Sequence, residues 1–232
     1  MSTLYIIATP IGNLEDISLR ALRCLRETKL IAAEDTRTTR HLLKAYNIKT
    51  PVTSYHEHNK RSKLHHLLSC LEQDDIALVS EAGTPVLSDP GYELITAAIV
   101  HGIPVVPIPG ASAITTALVV SGLPTEQFVY LGFLPRRQGQ RRRLLHSMTD
   151  EPRTMVLFEA PHRLLETLGD IQETLGDRYI ALCRELTKLH EEVFRGKVSQ
   201  AREYFTKPKG EFTLVVEGKR EGKALSQGLR GS

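Results

Sequence analysis

Short apolar runs recur along this chain, separated by longer stretches with the 3.6-residue period of an amphipathic helix. That alternation constrains the fold most, because strands joined through helical crossovers must run parallel and bury both faces of their sheet. Leu4–Thr9 reads as a strand that ends in the turn Pro10-Ile11-Gly12-Asn13, before a helix burying Ile17, Ala21 and Leu25. Leu30–Glu34, Val52–Tyr55, Ile76–Ser80 and Val105–Pro109 read as further strands. Between them, Thr36–Tyr46 is expected to be a helix, Leu64, Leu67, Leu68 and Leu71 form a stripe, and Pro90 heads a helix with Tyr92, Ile95 and Ile99 inward.

The character changes after Gly110-Ala111-Ser112. Beyond a hinge candidate at Ser121–Pro124, apolar runs at Phe128–Leu131, Thr154–Phe158, Tyr179–Cys183 and Phe212–Val216 flank a helix carrying Leu164, Leu165, Leu168, Ile171 and Leu175. The expected fold is therefore α/β with two α/β domains, residues 1–112 around a mostly parallel sheet and residues 113–218 around a mixed one. Residues 219–232 show no period and read as a disordered tail.

Composition narrows the class. With 232 residues, 41% of them hydrophobic and 25% charged, the chain has enough apolar material for full cores. No stretch approaches the roughly 18 apolar residues of a membrane span, and the opening apolar run is too short for a signal peptide. Cys24, Cys70 and Cys183 are odd in number and lack a CxxC, so a cytoplasmic protein with buried thiols is expected. The closely spaced His56 and His58 lack zinc-ligand spacing, and no metal is expected. There is no GxxxxGK[ST] phosphate loop and no GxGxxG after the first strand, which excludes P-loop and ordinary dinucleotide enzymes.

Ligands of parallel sheets bind beyond the carboxyl ends of the strands. Here those exits carry Pro10, the pair Glu34 and Asp35, the loop Ser80-Glu81-Ala82-Gly83-Thr84-Pro85-Val86-Leu87-Ser88-Asp89-Pro90-Gly91, and Pro109-Gly110-Ala111-Ser112-Ala113. Asp35 and Asp89 each have a simpler reading as a helix cap. In the second half, strands end in Glu159-Ala160-Pro161-His162-Arg163 and Arg184-Glu185-Leu186-Thr187-Lys188, placing ionisable groups at a rim. The net charge is only +3, but Arg136, Arg137, Arg141, Arg142 and Arg143 lie in a segment without an acid from Gln127 through Thr149. Such a run is a candidate contact for nucleic-acid phosphates, against the alternative of a solvated helix face.

Taken together, TPIGNLEDISLRAL, AAEDTRTTRHLL, SEAGTPVLSDPG, VVPIPGASAITTAL, GFLPRR, FEAPHRL, CRELTKLHEE and GEFTLVVEG resemble the tetrapyrrole methylase superfamily. Within it they resemble the branch that methylates a ribose 2′-oxygen of a cytidine in the decoding centre of 16S rRNA. The resemblance runs from Leu4 to Gly218, with Glu81 where the family usually has Asp. Members often continue into a C-terminal helical extension where this sequence has its irregular tail.

The resemblance implies a homodimer of two-domain subunits, with S-adenosylmethionine folded into a cleft between the domains and 16S rRNA or the small ribosomal subunit as partner. It implies cofactor contacts at Pro10, Ala82, Gly83, Thr84, Ser88, Ser112 and Ala113, and further ones at Phe158, Cys183 and Thr213. Methyl transfer to a ribose hydroxyl calls for a general base, for which Glu34, Asp35, Glu159 and Lys188 are the candidates. Lys188 qualifies only if Arg184 or burial depresses its pKa. Arg37, Arg163 and Arg184 would position phosphates, with Arg136, Arg137, Arg141, Arg142 and Arg143 as the wider RNA surface. Two alternatives remain, methylation of a small tetrapyrrole-like ring and non-catalytic RNA binding. The first calls for an open trough rather than five arginines.

Overall fold

A computed structural model of the chain describes residues 2–220 and divides into two compact units, one running through Ala113 and the other beginning at Ile114. Most of the expected tail lies outside the described residues. Lys219 and Arg220, at its start, form ion pairs with Asp150 (2.5 Å) and Glu217 (2.9 Å).

In the first unit, strands β1 (Leu4–Ile7), β2 (Leu30–Ala33), β3 (Val52–Ser54), β4 (Ile76–Val79) and β5 (Val105–Ile108) form one sheet in the order β3-β2-β4-β1-β5. All four pairings are parallel. Helices α1 (Leu19–Glu27) and α2 (Thr36–Ala45) cover one face, where Ala21, Leu25, Leu42 and Leu43 pack on Ile7, Ile31 and Val79. Helices α3 (Lys60–Leu71) and α4 (Tyr92–Val100) cover the other, where Leu67, Leu71, Leu94 and Ala98 pack on Leu4, Ile76 and Leu78. Every residue of β4 is buried, as a central strand covered on both faces requires.

Helix α4 corrects one expectation. Tyr92 and Ile99 point outward, 70% and 62% exposed, while Leu94 and Ala98 face the sheet. The segment YELITAAIV is apolar almost all round, so its period does not single out a buried face.

The second unit opens along α5 (Ala113–Ser121) and holds strands β6 (Phe128–Phe133), β7 (Thr154–Glu159), β8 (Tyr179–Arg184), β9 (Glu192–Lys197) and β10 (Phe212–Val216). Their order is β6-β7-β10-β8-β9; β6 and β7 are parallel and the other pairs antiparallel, a mixed sheet as expected. Helices α6 (Gln138–Ser147), α7 (Leu164–Leu175) and α8 (Val198–Tyr204) bury Leu145, Leu164, Leu168, Ile171, Val198 and Ala201 against Leu157, Leu182 and Leu214. Strand β9 and helix α8 escape the sequence reading. With Glu192, Arg195 and Lys197 along it, β9 is an edge strand whose charges hide its period. Among the described residues no helix is long and apolar enough to cross a membrane.

Candidate active site

From β1 the chain crosses through α1 toward β2, and from β4 it crosses through α4 toward β5, on opposite faces and in opposite directions. The adjacent strands β1 and β4 therefore send their chains to opposite faces of the sheet, which makes their exits a topological switch point, the usual ligand position in such sheets. The two exits are bonded to each other through the main chain: Thr9 N–H donates to Gly83 C=O (2.9 Å), and Gly83 N–H donates to Thr9 C=O (3.0 Å). The exit of β5 joins them. Ala8 N–H donates to Ile108 C=O (3.2 Å), and the Thr84 hydroxyl donates to Ala111 C=O (3.4 Å). A Cβ on Gly110 would lie 3.0 Å from that of Ala8, tighter than nearly all such contacts, so glycine lets these two exits approach without displacing either. Pro10, Ala82, Gly83, Thr84, Ser112 and Ala113 thus stand on three loops that the fold holds together.

The β4 exit loop bends through unusual backbone. Gly83 (φ 80°), Val86 (76°), Ser88 (74°) and Gly91 (146°) all have positive φ. Two non-glycine residues in the left-handed region, one of them β-branched, are strain that surrounding contacts must hold, and such strain collects at functional loops. Beside this loop the buried hydroxyl of Thr9 has no hydrogen-bond partner among the described residues.

Three carboxylates stand at these exits: Glu34, Glu81 and Asp89. Glu34 follows β2, and its Oε2 accepts from Glu81 N–H (3.2 Å). Asp89 is half-buried and hydrogen-bonded to Ser80; burial first, then the charges of Glu34 and Glu81, push its pKa up to about 7. Its expected role as a helix cap is not seen, because Gly91 occupies the N-cap of α4 and no side chain caps that end. Asp89 is the residue that sequence reasoning missed. Its signal was a carboxylate inside the strand-exit loop, between Ser88 and Pro90-Gly91.

A carboxyl group whose folded pKa is raised stabilises most below its ordinary range, and that stability is lost as pH rises through the folded value. Asp89→Asn should therefore leave the melting temperature near wild type at pH 4 and raise it at pH 8. Each kcal/mol released is worth about 2–4 °C in a chain of this size. Thermal melts at the two pH values check this; an equal shift at both would refute it.

Asp35, by contrast, is a cap. It accepts from Arg37 N–H (2.7 Å) and Thr38 N–H (3.3 Å) and pairs with the Arg37 guanidinium (2.9 Å), whose bonds pull its pKa down to about 2. So weak a base, already fully bonded, does not suit proton abstraction. Arg37 is itself 89% exposed along its side chain.

In the second unit, Phe158 and Cys183 both sit directly opposite Thr213 in the sheet register, so the three form one row across β7, β10 and β8. Cys183 is buried, which pushes its thiol up to about 12, and it stays neutral. The strand ends around this row carry the expected ionisable groups, but each is engaged. Buried Glu159 accepts from the Thr167 hydroxyl (2.5 Å) and Ala160 N–H (2.9 Å) and faces Arg163 at 3.4 Å. Arg163 donates onward to Leu134 C=O (2.9 Å), and Arg184 pairs with Glu192 (2.8 Å). Burial alone would lower the pKa of Lys188, but Glu211 (3.0 Å) and Glu185 (3.1 Å) raise it instead, so the condition on which Lys188 would serve as base is not met. Glu159 and Lys188 are members of the loop scaffold. Glu34 remains as the candidate base.

The arginine segment also divides. Arg141 is 1% exposed and donates to buried Asp170 (2.6 Å); Arg142 bonds the same carboxylate (2.7 Å) and Glu173 (2.6 Å). Acids from α7, distant in sequence, neutralise what looked like an unopposed run, so Arg141 is a core residue and not a phosphate contact. Arg136, Arg137 and Arg143 are exposed. Among the described residues, no three His, Cys, Asp or Glu side chains gather to hold a metal ion.

A parallel and a mixed five-stranded sheet, with glycine-rich exits meeting at a switch point, define a class that comparison with known proteins identifies. The family model for tetrapyrrole (corrin/porphyrin) methylases matches residues 3–202, and the chain belongs to this family. Among curated relatives, the proteins named ribosomal RNA small subunit methyltransferase I from Halalkalibacterium halodurans and Thermotoga maritima are each 52% identical over 222 residues. Those alignments cover 94% of this chain, with 77% and 100% of the respective relative. The protein of that name from Bacillus subtilis is 47% identical, over 94% of this chain and 76% of its own length. Solved structures share the fold at lower identity. Diphthine synthase superposes with a TM-score of 0.73 at 16% identity, covering 94% of this chain and 90% of its own. The Thermus thermophilus uroporphyrin-III C-methyltransferase complexed with S-adenosylhomocysteine superposes at 0.66 with 17% identity, covering 93% and 97%.

Proposed function

We propose that this chain transfers a methyl group from S-adenosylmethionine to small-subunit ribosomal RNA, and that the acceptor is the ribose 2′-hydroxyl of a cytidine in 16S rRNA. The observation that carries the reading is the reciprocal Thr9–Gly83 bonding, which locks the exits of β1 and β4 together at the switch point. The relatives named above support the rRNA substrate, and the neighbour solved with S-adenosylhomocysteine supports the cofactor.

The residues present fit such a cofactor. The buried Thr9 hydroxyl awaits a partner, Gly110 lets the β5 exit close against Ala8 beside it, and nearby carboxylates favour a cationic ligand. When bound, S-adenosylmethionine supplies a methyl group activated by a positively charged sulfur. The exits of β1, β4 and β5 hold the donor through backbone groups, so most of the rate comes from alignment with the incoming oxygen. Glu34 takes the proton of the ribose hydroxyl, its carboxylate oriented by Glu81 N–H. No side-chain nucleophile is needed. Such a substrate places the protein in the cytoplasm, and the dimeric state that the family resemblance implies is open to sedimentation equilibrium.

Calorimetric titration with S-adenosylmethionine, followed by tritium transfer to undermethylated 30S particles, bare 16S rRNA or a porphyrinoid, tests the reading. Uptake of label by rRNA, mapped to a ribose oxygen of a cytidine, is expected. Label on the porphyrinoid instead would assign ring methylation, and RNA binding without transfer would assign a non-catalytic role.

A further inference from the structure

We infer that the outer face of α1 and α2 is the surface along which the RNA backbone is held, an assignment that rests on the rRNA reading above. The apolar sides of both helices pack on the same face of the first sheet through Ala21, Leu22, Leu25, Leu42 and Leu43. Their opposite sides carry Arg20, Arg23 and Arg26 on α1 and Arg37, Arg40 and Lys44 on α2, all exposed. Against these six cations the two helices contain one carboxylate, Glu27.

The spacing of three or four residues aligns each set as a ridge along its helix. Arg26 donates to Tyr46 C=O (3.3 Å) at the end of α2, and Tyr46 in turn donates to Leu14 C=O (2.7 Å), so the two ridges are tied together at one end. Among the described residues, Arg20, Arg23, Arg26, Arg40 and Lys44 form no ion pair, and only Arg37 does, with Asp35. This is the opposite of the arginine segment at α6, whose central members are consumed by Asp170 and Glu173.

Position adds direction. Both helices run back from strand exits, so their N-terminal ends at Leu19 and Thr36 lie nearest Pro10–Asn13 and Glu34. The ridges start near the rim of the candidate active site and extend about 9–11 Å from first to last cation at 1.5 Å per residue. The positive ends of the helix dipoles are at the rim as well. A polyanionic strand laid along the ridges would be gripped through its phosphates, without reading of sequence, while one ribose is presented at the exits.

The test uses the full chain with Arg23→Gln, Arg40→Gln and Lys44→Gln combined, none of which belongs to the candidate active site. Binding to an undermethylated 16S rRNA fragment is measured between 50 and 200 mM salt, alongside S-adenosylmethionine affinity and thermal melting. Three lost phosphate contacts at about 0.7 each should make the slope of log K against log salt shallower by roughly 2. Affinity at ~100 mM salt should fall by about tenfold or more, with cofactor affinity and melting temperature unchanged. An unchanged slope would overturn the assignment, the more so if Arg136→Gln, Arg137→Gln and Arg143→Gln together reduce it. Loss of binding to 30S particles with bare rRNA unaffected would overturn it too, in favour of an acidic protein partner. If the unsubstituted chain binds RNA through these ridges yet transfers no methyl group, the functional reading fails while this surface stands.

Discussion

Replacing Asp170 with alanine is expected to destabilise the second unit by about 3–5 kcal/mol, the usual consequence of leaving a buried charge without its partner. Arg141 would keep its guanidinium in the core with only a 3.5 Å approach to exposed Glu166 and a 3.4 Å bond to Arg136 C=O. Its 2.6 Å partner would be gone, and Arg142 would lose a ligand at the same time. Urea denaturation measures the loss. Replacing the buried pair together, Arg141→Met with Asp170→Leu, should recover most of it, because two apolar groups of similar volume carry no desolvation cost. Burial works to raise the pKa of Asp170, but the bonds from Arg142 and Arg141 outweigh it and hold it below the usual range. The network's stability is therefore present at neutral pH and lost as pH falls through that lowered value. A wild-type response to Asp170→Ala would mean that the α6–α7 contact is not load-carrying.

Changing Glu34 to Gln should reduce turnover by roughly 10²–10⁴-fold, the range expected when a positioned proton acceptor is removed. The substitution keeps a side-chain oxygen for Glu81 N–H, so the loop contact at 3.2 Å survives and S-adenosylmethionine affinity should stay within about twofold of wild type. Steady-state kinetics would then show a fall in kcat with little change in KM. Normal turnover would remove Glu34 from the mechanism and direct attention to Asp89, which the same exits bring near.

The fold was largely legible because its signals are local. Ile76–Val79 is a continuous apolar run bounded by Asp75 and Ser80, and such a run can only be a covered central strand or a short buried helix; the surrounding βα rhythm selects the strand. Where an element's pattern is uniform, as in the apolar α4, or masked by charge, as in β9, the local signal fails and tertiary context decides. The site was legible in part for the same reason. Gly83 and Gly110 announce close backbone approach through their residue type alone, whereas the state of Arg141, Glu159 and Lys188 depends on Asp170, Thr167 and Glu211, which are far away in sequence. A charged residue's chemistry is set by its partner, and no spacing rule named those partners.

Because the walls joining β1 to β4 meet through peptide groups and not through side chains, their integrity can be followed by isotope exchange without altering a single residue. The amide hydrogens of Thr9 and Gly83 lie in one reciprocal pair, so opening either strand exit frees both. They should exchange with deuterium at matched rates, as one cooperative element, and ligand occupancy should slow them in step.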